Sequence, residues 1–196
     1  MKRLHSGAAS FIIKNHYLCI MKKIVFIFIV IISVLSGCTK KETTRTSGID
    51  TIDNITYFST TYYNYGFSFS GAKLVSTINA QGYDISLYVN TDTPPPILTL
   101  QNNNFKPSFF KVGDYADETT AQSVFDNIKT VSVTQWQDIA DTINANQVWI
   151  YKSGNNNYTK IRIVSTINET RQSVDYGECT FQWVYQPDGS TTFPGK

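Results

Sequence analysis

Hydrophobic positions fall into two regimes along this chain. Residues 24–35 form one unbroken apolar run, whereas from Asn54 onward apolar residues come in short groups set off by polar punctuation. Alternation with a period of two marks a half-buried strand. It occurs at 65–70, where Tyr65, Phe67 and Phe69 alternate with glycine and serine, and at 83–90, where Tyr83, Ile85, Leu87 and Val89 share a face. Further strands are predicted at 74–78, 97–100 and 109–112. Pro94, Pro95 and Pro96 break the ladder before the second of these, since proline donates no backbone hydrogen bond. Gln101-Asn102-Asn103-Asn104 reads as a loop.

Residues 114–143 carry helical spacing instead. Ala121, Val124, Phe125 and Ile128 recur at three and four positions behind Thr119 or Thr120, either of which suits a helix cap. A second short helix is predicted over 134–143, burying Trp136, Ile139, Ala140 and Ile143. Beyond it, strands at 147–152 and 158–165 flank Ser153-Gly154-Asn155-Asn156-Asn157. Glycine and asparagine tolerate positive φ, so this is a hairpin loop. The last long strand, 178–186, puts Cys179, Phe181, Trp183 and Tyr185 on one face, and 187–190 is a turn before a short return strand at 191–193. The pattern predicts an all-β fold of mainly antiparallel sheets, with one or two short α-helices and no internal repeat.

The apolar run at 24–35 has a different meaning. At 12 residues it is too short to cross about 30 Å of hydrocarbon, which takes roughly 20. Lys22 and Lys23 precede it and Leu35-Ser36-Gly37-Cys38 follows, the order of a secretory signal. The final cysteine matches the lipobox of bacterial lipoproteins. Residues 1–37 are therefore expected to be a presequence and signal peptide, with Met21 the more economical start, and cleavage before Cys38 to leave an acylated N-terminus. Several acyl chains anchor stably where a single one holds marginally. Residues 38–53 are polar and threonine-rich and are predicted to be a flexible tether, with the folded domain spanning 54–196. Thr39 is not the aspartate associated with inner-membrane retention, so the outer membrane is expected, at its cell-surface or periplasmic face.

That cut changes the chemistry that remains. Of 17 basic residues 12 lie beyond it, against all 15 acidic ones, a net charge of −3. No basic patch for nucleic acid is expected. Both histidines, His5 and His16, and both methionines, Met1 and Met21, precede Cys38. Without histidine there is no serine triad, cysteine–histidine dyad or Cys/His zinc site, and no enzymatic activity is expected. Cys179, the one free thiol, reads as a buried apolar residue. Asp114, Asp117 and Glu118 form a small acidic cluster, read as helix N-terminal charge rather than a calcium site. Tyr57, Phe58, Tyr62, Tyr63, Tyr65, Phe67 and Phe69 crowd thirteen positions. Core and edge packing accounts for them; the functional counterpart is a surface that stacks on flat ligands or sugars.

Three blocks together resemble the HmuY family of haem-binding lipoproteins. They are YGFSFSGAKLVS leading into YDISLYV over 65–90, VWIYKSGNNNYTKIRI at 148–163, and TFQWVYQPDGSTTF at 180–193. Tyr158 and Lys160 match the family's tyrosine-x-lysine strand, while Tyr83, Ser86 and Leu87 depart from its second strand. The resemblance implies an all-β lipoprotein of the outer membrane that captures haem and hands it to an outer-membrane transporter. It also implies iron held by two histidines or two methionines, and neither residue type occurs after Cys38. Bound haem iron would then need tyrosinate, or stay without a strong protein ligand. Tyr115 is the sole tyrosine between Asn90 and Gln147 and so is the candidate haem ligand. The leading expectation is a lipid-anchored haem-capturing protein. The alternative is a surface interaction module that binds glycan or peptide on the same scaffold.

Overall fold

The computed structural model describes residues 44–58, 62–78, 82–92, 94–104 and 106–193. Cys38 and the expected signal segment at 1–37 lie outside them. The chain divides into Met1–Thr43 and Thr44–Lys196, and the second unit carries the fold.

That unit is built on two five-stranded antiparallel sheets. The first runs β1 (Ser47–Asp53), β12 (Val174–Gln186), β11 (Tyr158–Arg171), β10 (Gln147–Lys152), β8 (Phe109–Asp114). The second runs β5 (Lys73–Ser76), β4 (Tyr65–Ser68), β6 (Ile85–Asn90), β7 (Ile97–Asn102), β9 (Ile139–Ala140). A two-residue pair, β2 (Tyr57–Phe58) with β3 (Tyr62–Tyr63), links β1 to β4. Alternation sends one side of each sheet inward. Phe67, Phe69, Ile85, Leu87 and Leu100 from one sheet meet Trp149, Tyr151, Ile161, Phe181 and Trp183 from the other. The Phe67 ring sits edge-on to Phe181 at 5.4 Å and to Trp183 at 5.5 Å, the geometry the aromatic quadrupole favours.

α1 (Glu118–Asn127) is the one helix among the described residues. Its cap is Asp117, not Thr119 or Thr120: Asp117 Oδ1 accepts from the Thr120 N–H at 2.8 Å. Ala121 and Phe125 pack on Val148 on the outer side of the first sheet. At the other end Lys160, 4 % exposed, donates to the carbonyls of Phe125 (2.7 Å) and Ile128 (3.1 Å), two of the acceptors a helix C-terminus leaves free.

Two expectations are corrected. Residues 134–143 form no helix. Their hydrogen bonds go sideways: Gln137 exchanges bonds with Phe109, β9 pairs with β7, and the Ile143 N–H donates to Leu98. Ala140 is buried while neighbouring Ile139 is 39 % exposed, as befits extended backbone. Residues 47–53 are not tether but β1, paired with β12 from Ser47↔Val184 to Asp53↔Glu178. Of its side chains only Ile52 is buried, so hydrophobic patterning carried little of this strand. Polar contacts hold it instead: Trp183 Nε1 and Arg45 Nη2 both bond the Asp50 carboxylate, at 2.7 and 2.6 Å. The domain thus begins near Thr44, ten residues before the expected boundary at Asn54. The return strand at 191–193 reduces to a single bridge, Thr130↔Thr192, with Phe193 buried.

Candidate functional site

The loops at one end of the sandwich enclose a cleft of about 520 Å³. Each wall comes from a different strand end. Ser68 and Ser70 close β4, Tyr83 and Asp84 precede β6, and Asn103 and Asn104 follow β7. Ser153, Asn155 and Asn157 come from the β10–β11 turn, and Tyr185 from β12.

The side chains are held in place. Asp84 Oδ2 accepts from the Phe69 N–H at 2.8 Å, and the Asp84 carbonyl accepts from the Tyr151 hydroxyl at 3.1 Å. Burial raises the Asp84 carboxyl above its ordinary value, against the opposing pull of the Phe69 and Ser70 N–H groups. Asn157 donates through Nδ2 to the Tyr185 hydroxyl (2.7 Å), and its N–H donates to Ser153 Oγ (3.1 Å). Asn156 takes φ of 61°, the conformation asparagine tolerates in a tight loop. Asn103 Nδ2 donates to the Tyr83 carbonyl, and Asn104 Nδ2 to Ser108 Oγ at 3.2 Å. The Tyr83 ring lies on Gly66, where a Cβ would come within 2.6 Å of Tyr83 Cδ2. Burial pushes the Tyr83 and Tyr185 phenols up, so both are hydroxyl groups at neutral pH. The described lining thus offers one carboxylate, amides, hydroxyls and phenol rings, with no lysine or arginine.

A second cleft, about 460 Å³, opens at the opposite end beside the β11–β12 turn, where Ile55, Arg171, Val174 and Tyr176 line it. Arg171 stacks on the Tyr176 ring at 3.4 Å and is bonded to Glu169 at 2.5 Å. Burial and the Glu178 carboxylate, which accepts from the Tyr176 hydroxyl at 2.6 Å, push the Tyr176 phenol up to about 12.

The residues singled out by sequence fall elsewhere. Cys38 lies outside the described residues. Tyr115 follows β8, donates its N–H to Asn146 at 3.2 Å, and packs into the small cluster under α1. Its hydroxyl lies against Gly113, where a Cβ would come within 2.8 Å, and it lines neither cleft. Cys179 is fully buried and its thiol is pushed up to about 12, so it is inert. Of the acidic cluster, Asp117 caps α1, Asp114 pairs with Lys111 at 2.7 Å and Glu118 with Arg162 at 3.5 Å. Among the described residues no three His, Cys, Asp or Glu side chains are grouped to hold a metal. The aromatic crowd splits: Phe67 and Phe69 are core, whereas Tyr57 is 40 % exposed with its ring edge-on to Tyr65 at 5.1 Å.

Haem iron needs a strong protein ligand, and tyrosine supplies one as the phenolate. Tyr115, the candidate ligand, lines neither cleft, and its hydroxyl lies against Gly113 of its own strand. The larger cleft also has no cation among its described lining to meet the carboxylates of haem. Its described lining also holds no histidine or methionine. No family model matches the chain, and no curated protein matches it.

The cleft residues were not singled out by sequence. Their signal was present in the asparagine runs at 102–104 and 155–157, which read as turn chemistry alone.

Proposed function

We propose that this is a lipid-anchored binding protein of the outer membrane, on a HmuY-like scaffold, that captures its ligand by hydrogen bonding and not by iron ligation. The observation that carries the reading is the cleft of Asp84, Tyr83 and four asparagines at one end of the sandwich. Prepositioned amides and hydroxyls around a partly buried carboxylate serve recognition, because their orientation is set before a ligand arrives. The lipobox ending at Cys38 supports the anchor. The absence of histidine after Cys38 and the inert Cys179 support binding over catalysis.

The test is a haemin titration of the protein in detergent, read in the Soret region. The expected result is no shifted band in either oxidation state. A high-spin tyrosinate spectrum that Tyr115→Phe abolishes would restore the haem reading and make Tyr115 the ligand.

A further inference from the structure

We infer that the cleft beside Asp84 takes a neutral, hydroxyl-rich glycan. The inference rests on the capture reading above and names its ligand.

Charge narrows the ligand first. One carboxylate and no cation among the described lining residues repel phosphate, sulfate and carboxylate groups. Hydrogen-bonding capacity narrows it further. A sugar presents adjacent hydroxyls that both donate and accept. Asp84 accepts, Asn155 does both through its amide, and the Ser70 and Ser153 hydroxyls do both as well. The third element is a flat apolar face for the sugar's C–H groups. Tyr83 supplies a half-buried ring, seated on Gly66 and so fixed in orientation.

A peptide would want something else. Peptide sites offer a free strand edge for main-chain pairing, or apolar pockets for side chains. This cleft is made of turns and strand ends, and none of its described lining residues is aliphatic.

Two sources present neutral-sugar chemistry, the sugar headgroup of a glycolipid and a free oligosaccharide. The Tyr185 N–H donates to the Thr46 carbonyl at 2.7 Å, and Arg45 Nη2 donates to Ala72, beside the Ser70 wall, at 3.4 Å. The described chain therefore starts at the cleft end, and β1 carries it away to the other.

The experiment reads the full chain, in a detergent without sugar headgroups, on an array of neutral oligosaccharides. Retention of at least one neutral glycan is expected, weakened about tenfold or more by Asp84→Asn and by Asn155→Ala. Asn155 sits at an exposed turn, so its variant keeps the fold. Phosphatidylcholine vesicles with and without a neutral glycosyl diacylglycerol give the second arm. Binding to glycolipid vesicles alone places the source in the membrane, and binding to free glycan as well places it in solution; both support the site. No glycan retained, or retention unmoved by both variants, overturns it. A peptide that competes at the cleft and is lost in Asn155→Ala also overturns the glycan assignment while leaving capture by the cleft intact. Anchoring is read separately, by fractionation of Cys38→Ser, so its failure does not enter the array result.

Discussion

Asp84 concentrates the tension in this molecule. Its carboxylate is bound by backbone N–H groups yet raised by burial, and burial wins. The sign of the consequence follows. Below the ordinary value of 3.8 the carboxyl is protonated in both folded and unfolded chains and costs nothing. As pH climbs through the higher folded value, ionisation becomes dearer in the fold than out of it, and stability is lost. The melting temperature of the wild type minus that of Asp84→Asn should therefore fall by about 2 °C between acid and neutral pH, whatever the offset between the two proteins. A difference that stays flat with pH would show that Asp84 ionises freely.

Lys160 makes the case at the scale of the element. It belongs to the tyrosine-x-lysine pair that carries part of the family resemblance, and its position on β11 puts it beneath α1. Its ammonium group caps two helix carbonyls and lies 4.7 Å from the Phe125 ring, so it fastens helix to sheet. Lys160→Met should lower the urea midpoint, at a cost of about 2 kcal/mol with an unchanged m-value, and leave ligand binding intact. An unchanged midpoint would remove the clamp. Elements were legible in the sequence where burial imposed a period. In the second half of β12 the alternation is the core itself, while β10 is a run of five buried residues covered on both faces, and both strands stand where pattern puts them. The misread segments lack that link. β1 buries one side chain and is held by Asp50 and its partners. Residues 134–143 match a helix only in spacing, and neighbouring strands take their hydrogen bonds. The β11–β12 hairpin turns through Gln172 and Ser173 at φ of 50° and 65°, with no glycine or asparagine to announce it, so both strands run longer than expected.

For the whole molecule, the order of strands in the two sheets decides where the clefts lie. A tether of sixteen residues was expected over 38–53, and seven of them form β1. The fold class was legible because alternation is local. The cleft was not, because its walls come from five strand ends that only the sheet order brings together. The same order separates two clefts by the length of β1: a polar one at the chain's entry and one lined by Ile55, Val174 and Arg171 at the far end. Capture through the polar end is the central claim. Amide hydrogen exchange tests it most directly, comparing the protein with and without a neutral glycan that the array retains. Slowed exchange on addition of the glycan is expected at 68–70, 82–84, 102–104 and 153–157, with 171–176 unchanged. Slowing confined to 171–176, or none at either end, would contradict it.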